Sequence, residues 1–439
     1  MKKGIVCMVM LLFFIGPAAV KADDVSELKQ QLAEQNKMLQ EMQQKIEKLE
    51  SQQNKQDEVI QQKVTQVVNE KKADIIPDSL KWAEKIKLNG DFRYRHETVN
   101  SKSNEKEQPG KNNNRIRARL GIDVKVNEDW DLGFRLATGA SDPASTNQSL
   151  DNGFAKKDVW LDLAYFNWHP KKYENRLNIY GGKMPNPFYR AGGNQLVWDD
   201  DVNPEGIAAK YVMPFADSNN TLYVNGGGFW LRADAGAGAS GGAAIWGIQS
   251  YLKHDFANKD YLLGGLSLYA FSDLEGKEGL YNSNGTSKNK YGNTMSGTGA
   301  DSSHPYMYTM NYDVMEAFAE YGFKFAEKPT NVYGSYVKNT AATTAENTGW
   351  LIGTTFNKAK EPGSWELGYN YRDVQKDAVV GVLTDSDFIG GGTDGKGHMF
   401  CGKYQFTRNI QGVITYFLTQ KGAENDPYRR LMADLVFKF

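Results

Sequence analysis

The chain is 439 residues long, with 52 Lys and Arg against 53 Asp and Glu, a formal net charge of −1, and 40% apolar residues. So balanced a charge, with no polybasic block, excludes nucleic acid as the partner. Past the N-terminus no run approaches the roughly 20 apolar residues of a membrane helix, so a membrane-spanning reading requires a closed β-barrel, whose strands satisfy one another's backbone groups.

Residues 1–22 read as a secretory signal: Lys2 and Lys3, the apolar stretch from Ile5 to Ile15, then Val20-Lys21-Ala22 as a small-residue cleavage site. Cys7 goes with it, so Cys401 alone remains and no intramolecular disulfide can form. Residues 23–72 predict a periplasmic coiled coil. Leu28, Leu32, Leu39, Met42, Ile46, Leu49 and Ile60 fall at alternating spacings of three and four, and Gln35, Gln53 and Gln56 complete the seam. At about 1.5 Å per residue such a helix reaches roughly 60 Å, and its polar outer faces favour self-association. Residues 73–85 form a linker around Pro77, with Lys81-Trp82 marking the membrane surface.

From 86 to 439 the chain divides into sixteen short segments of period-two alternation. The expected strands are 86–96, 114–126, 130–139, 158–168, 176–183, 206–213, 221–233, 242–253, 260–273, 310–323, 330–338, 348–357, 364–373, 397–406, 409–420 and 428–439. The links 97–113, 140–157, 184–205, 274–309 and 374–396 are long and rich in Gly, Asn, Ser and Asp, whereas those at 127–129, 324–329, 358–363 and Arg408 are short. Long outer loops and tight periplasmic turns are the rhythm of a 16-stranded antiparallel outer-membrane barrel. A barrel of this size encloses an aqueous channel, where one of about eight strands is filled by its own side chains.

Alternation assigns the faces. In the second segment Ile116, Ala118, Leu120, Ile122, Val124 and Val126 oppose Arg115, Arg117, Arg119, Asp123 and Lys125; the apolar set faces lipid and the charged set the lumen. Aromatic residues make up 12% of the chain, enough for girdles at both membrane interfaces. The end of the chain, with Leu431, Ala433, Leu435, Phe437 and Phe439 in alternation, resembles the signal by which outer-membrane barrels are recognised for insertion, which gives Phe437 and Phe439 that role.

The third outer link carries Gly182-Lys183-Met184-Pro185-Asn186-Pro187-Phe188 and then Leu196-Val197-Trp198-Asp199-Asp200-Asp201-Val202-Asn203-Pro204-Glu205-Gly206. With the coiled-coil leader and the Arg-x-Arg-x-Arg strand, the mature chain resembles the "putative porin" family of proteobacteria. The resemblance implies a trimeric, water-filled porin whose third outer loop folds inward and narrows the channel. Two departures count against a dedicated substrate: no row of aromatics marks a sugar slide, and the loops are not lysine-dense like those of phosphate-selective porins.

Parity places Arg93, Arg119 and Arg135 inward near mid-height, and closure would set Arg430 beside the first strand, with Arg95, Arg115 and Arg117 continuing a basic wall outward. Asp199, Asp200, Asp201 and Glu205 are expected to hang opposite. Unit charges about 10 Å apart interact by roughly 1.7 kcal/mol at an effective dielectric near 20, enough to orient water and polar solutes. Local pairing of each arginine with an acid is the competing arrangement, as is a solvated, cation-binding acidic run. Of the five histidines only His398, with Ser364 on the adjacent strand, offers even a catalytic pair, and nothing orients it.

The expected function is passive diffusion of small hydrophilic solutes and ions, without cofactor. A structural anchor, in which the coiled coil tethers the outer membrane to peptidoglycan or a periplasmic protein, and an oxyanion-selective channel are the alternatives.

Overall fold

The computed structural model describes residues 78–439 apart from 104–105, 217–218, 233–241, 282–288 and 301–303, together with Lys37, Met38, Gln40, Glu41, Met42, Gln44, Lys45, Lys48 and Lys63. Residues 1–82 and 83–439 form two compact units. In the first, those positions from 37 to 63 are helical; the secretory signal and every seam residue of the expected coiled coil except Met42 lie outside the described residues. Asp78–Lys85 is a 3-10 helix within the segment expected to be a linker.

The second unit is a closed all-antiparallel barrel. Its sixteen long strands among the described residues are β1 (Ile86–Ser103), β2 (Lys111–Lys125), β3 (Trp130–Thr138), β4 (Val159–Trp168), β5 (Leu177–Lys183), β6 (Glu205–Pro214), β7 (Asn220–Arg232), β8 (Ala243–Asp255), β9 (Tyr261–Ser272), β10 (Tyr312–Phe325), β11 (Lys328–Asn339), β12 (Thr348–Phe356), β13 (Trp365–Val374), β14 (Gly395–Gln405), β15 (Ile410–Lys421) and β16 (Asp426–Lys438). Each pairs with its chain neighbours, and β1 pairs with β16 from Asp91↔Lys438 to Ser101↔Tyr428, which closes the sheet. No helix among the described residues is long and apolar enough to cross a membrane.

Every expected strand is present, and all ends but that of the first lie within three residues of expectation. The largest difference is the first hairpin. β1 runs on to Ser103 and β2 begins at Lys111, with Lys106–Glu107 pairing back onto β1, where a loop from 97 to 113 was expected. The extension Glu97-Thr98-Val99-Asn100-Ser101-Lys102-Ser103 lacks the apolar alternation of the lower strand, so period two gives no sign of it.

The outward face is the apolar one. Leu88, Leu120, Leu136, Ile207, Trp246, Leu266, Ile352 and Ile414 are all exposed, and a lower ring of aromatics follows the short turns. Trp130 contacts Trp168 with ring centroids 6.1 Å apart, Phe356 contacts Trp365 at 5.5 Å, and Tyr404 contacts Phe406 at 5.0 Å. The tightest turn joins β10 to β11 through Ala326 and Glu327, at φ 47° and 59°. Two left-handed residues in succession match the twist of a two-residue hairpin, here without the glycine that usually supplies them.

Inside, the two halves of the wall differ. On β1–β3 and β16 the inward rows carry charge. On β7–β12 they carry Phe229, Ile245, Tyr251, Leu263, Tyr269, Phe318, Tyr333, Val337 and Leu351, which form one buried cluster with residues of the link 184–204 and of the link 375–394.

Candidate functional site

The basic rows lie where parity puts them, and they are matched by acids on the same rows. In the β1–β2 ladder Arg93 stands opposite Arg117 and Arg95 opposite Arg115. Like charges directly across a ladder repel, and carboxylates intervene. Asp91 accepts from Arg119 Nε at 2.6 Å and from Arg117 Nη2 at 2.8 Å. Asp434 on β16 takes Arg95 in a two-pronged pair at 2.7 and 2.9 Å and has Arg93 at 3.8 Å. Glu97 holds Arg430 at 2.5 Å and Arg115 at 3.9 Å.

Arg135 is paired through an irregularity in the sheet. The β3–β4 register shifts between Arg135 and Leu136, so consecutive residues Asp162 and Leu163 are both buried. Such a bulge re-aims a side chain, and Asp162 sits 2.5 Å from Arg135 Nε.

The link 184–204 packs against the apolar half of the wall. Phe188 lies over Gly247 of β8, where a Cβ would come within 2.3 Å of its ring, and makes edge contact with Tyr269 at 4.9 Å. Met184, Leu196 and Trp198 are buried with it. Burial of each such side chain contributes about 1.5–3 kcal/mol. The tip is fixed by polar groups of the wall: Gln249 pairs with both backbone groups of Tyr189, at 2.7 and 2.9 Å, and Glu320 accepts Gly192 N–H and Tyr189 O–H, each at 2.7 Å. Gly192 has φ 60° and its missing Cβ would collide with the Tyr333 ring, so a left-handed glycine suits the place.

Of the acids expected to face the arginines, Asp201 reaches one. It lies 3.5 Å from Arg119, in contact and not across a gap, and its other oxygen accepts from Thr146. Asp200 is exposed and pairs with Arg190 of its own loop; Glu205, the first residue of β6, pairs with Lys183 at 2.7 Å. Asp199 is buried and accepts from the backbone N–H groups of Asp201 and Ser386, both at 2.8 Å. Burial, with Asp385 and Asp201 alongside, pushes its carboxyl well above the usual carboxylate range.

A second inward loop was not anticipated. The link 375–394 buries Ala378, Val379, Val380, Val382, Leu383, Phe388 and Ile389 and docks on the first loop: Asp199 N–H donates to Leu383 O at 2.8 Å, and the Thr384 hydroxyl to Gln195 O at 2.8 Å. Its Asp385 pairs with Arg372 at 2.8 Å, and its Asp387 with Arg95 and Arg430, each at 3.0 Å. The apolar run Ala378-Val379-Val380-Gly381-Val382-Leu383 was the available signal, masked by the glycines after it. Aromatics also converge where the sequence shows no row. Tyr223 stacks on Tyr251 at 4.5 Å, and Tyr251 contacts Tyr189 at 5.0 Å and Phe318 at 6.0 Å, each ring from a different segment.

The remaining sequence candidates separate. Phe437 pairs in register with Phe92, their rings 6.1 Å apart, and Phe439 exchanges backbone hydrogen bonds with Gly90 beside the β1–β16 seam. His398 bonds to the Tyr369 hydroxyl, while the Ser364 hydroxyl donates to Glu361 O at the far end of the β13–β14 ladder. These two residues make no catalytic pair.

The family model described as "putative porin" matches residues 99–298 and 298–435. Among solved structures, Pseudomonas putida OprB aligns with a TM-score of 0.51 at 10% identity, over 80% of this chain and 94% of that one. Salmonella typhi OmpF in complex with daunomycin follows at 0.47 and 10%, over 81% and 97%, and a loop-deletion mutant of Vibrio cholerae OmpT at 0.46 and 13%, over 81% and 99%. At these identities the likeness to OprB is one of fold. No curated protein matches the chain. With the family model spanning most of the sequence and a closed sixteen-stranded barrel beneath it, the chain belongs to the "putative porin" family, outer-membrane channels and not enzymes.

Proposed function

We propose that the barrel passes small hydrophilic solutes and ions down their gradients, with the loop 184–205 as its constriction and the row Arg93, Arg95, Arg115, Arg117, Arg119, Arg135 and Arg430 as its charged wall. The supporting observation is the asymmetric interior: partly exposed guanidinium groups on β1–β3, the side chains of Arg117, Arg119 and Arg135 being 14%, 20% and 23% accessible, facing a wall on which two loops are packed. Such an arrangement restricts size through the loops and orients polar solutes through the charges. The working unit in this reading is a homotrimer with one channel per chain. In this reading the coiled coil 23–72 stands in the periplasm with peptidoglycan or a periplasmic protein as its contact, and Phe437 and Phe439 serve insertion into outer-membrane lipid. No cofactor is required.

Single-channel recording of the refolded full chain in a planar bilayer tests this. Stepwise openings in threes, with ion preference altered when Arg93, Arg119 and Arg135 are changed to Ala, are the expected result. A barrel that inserts and stays silent overturns the transport reading and shifts the weight to the anchoring role of the coiled coil.

A further inference from the structure

The second inward loop places a carboxylate in the middle of the arginine cluster. Four guanidinium groups, Arg93, Arg95, Arg115 and Arg430, share three carboxylates there: Glu97, Asp434 and Asp387. Two of the three belong to the barrel wall, while Asp387 belongs to the link 375–394. Their exposures differ in a telling way. Arg95, Arg430 and Glu97 have side chains 4–5% accessible, whereas Asp387 is 24% accessible. Asp387 therefore stands on the water side and covers two arginines that are otherwise sealed.

We propose that Asp387 is a selectivity-determining residue of the channel: by neutralising the Arg95–Arg430 pair from the lumen side, the loop 375–394 holds back an anion preference that the wall would otherwise impose. This rests on the channel reading above and adds to it a second loop and a named charge. Three features support the assignment. Asp387 contacts both arginines at 3.0 Å, so its charge acts directly on a cluster of four guanidinium groups for which the wall alone supplies two carboxylates. Each arginine keeps a wall carboxylate without it, Arg95 with Asp434 and Arg430 with Glu97, so loss of the Asp387 charge does not strand a buried guanidinium. The loop is held independently by Asp385 on Arg372, by Arg372 over the Phe388 ring at 4.5 Å, and by its backbone bonds to the first loop.

The charge can thus be removed while the loop stays. Asp387→Asn adds one net positive charge to a cluster already one positive. Asn147→Asp does the reverse, because Asn147 Oδ1 already accepts from Arg93 Nη2 at 2.5 Å and a carboxylate of the same shape would occupy that place.

The experiment is the reversal potential of the reconstituted full chain under a potassium chloride gradient, with folding of each variant checked by its heat-dependent shift on a gel. Asp387→Asn is expected to raise anion-over-cation permeability by about threefold, the size of effect one unit charge exerts on an ion close by in screened water; Asn147→Asp is expected to shift it the other way. A folded, conducting Asp387→Asn channel with the parental ratio overturns the proposal. Should that variant not fold, Asn147→Asp decides, and a parental ratio there overturns it equally. A silent parent barrel is a separate result, which removes the channel reading itself.

Discussion

The wall of β1–β3 and β16 and the wall of β7–β12 face the same lumen and are built on opposite principles. The first is a lattice of ion pairs, each arginine touching a carboxylate and several keeping partial contact with water. The second is packed like the core of a soluble domain, with Phe188, Trp198, Tyr269 and Phe318 buried between strand and loop. The charged wall can be re-tuned one residue at a time because its pairs are redundant. The packed wall is where the loops gain their rigidity, since dense interiors respond to the loss of even a few atoms.

The contrast can be broken most severely where the two principles meet. Asp385→Ala leaves Arg372, 3% accessible, without its partner, and removing one member of a buried pair costs about 3–5 kcal/mol. Urea unfolding of the reconstituted barrel should show that loss, with trypsin sensitivity appearing at Lys376. Within the packed wall, Phe188→Ala should cost about 3 kcal/mol through the cavity it leaves, and single-channel records should show greater open-state noise as the loop 184–204 loosens; an unchanged record would mean that the loop does not depend on this face.

A smaller effect is expected at the loop tip. Glu320→Gln weakens the charge-assisted acceptor for Gly192 N–H and Tyr189 O–H, a change of about 1–2 kcal/mol, and faster tryptic cleavage after Arg190 is its readout. At the short turns the charges should matter least. Lys171 and Glu128 pair at 2.8 Å with both side chains about three-quarters exposed. Lys171→Ala should therefore leave unfolding unchanged, as surface pairs contribute little.

The strands were legible because lipid imposes one rule on every outward residue: Leu88, Leu120, Leu136 and Ile414 report their faces without knowledge of any partner. The arginines were legible for the same reason, being the other half of the alternation. Their acids were on the same rows, Asp91 two residues before Arg93 and Asp434 four after Arg430, yet only the ladder register shows which arginine each one meets. The bulge at Asp162 and the inward turn of 375–394 depend on contacts between segments far apart in sequence. Alternation carries no such information. The row of tyrosines was hidden in the same way, since Tyr189, Tyr223 and Tyr251 come one to a segment.

The seam between β1 and β16 governs how the molecule comes into being. Arg95 and Asp434, 339 residues apart, are bonded across it, and Phe439 ties back to Gly90. Contacts this distant are the slowest to form, because the chain between them must first be ordered. The earliest-made strand keeps an open edge until the latest-made one arrives, and open edges invite pairing with the wrong chain. Closure therefore waits on β16, and a chain truncated before it would leave a fifteen-stranded sheet whose first edge has no partner.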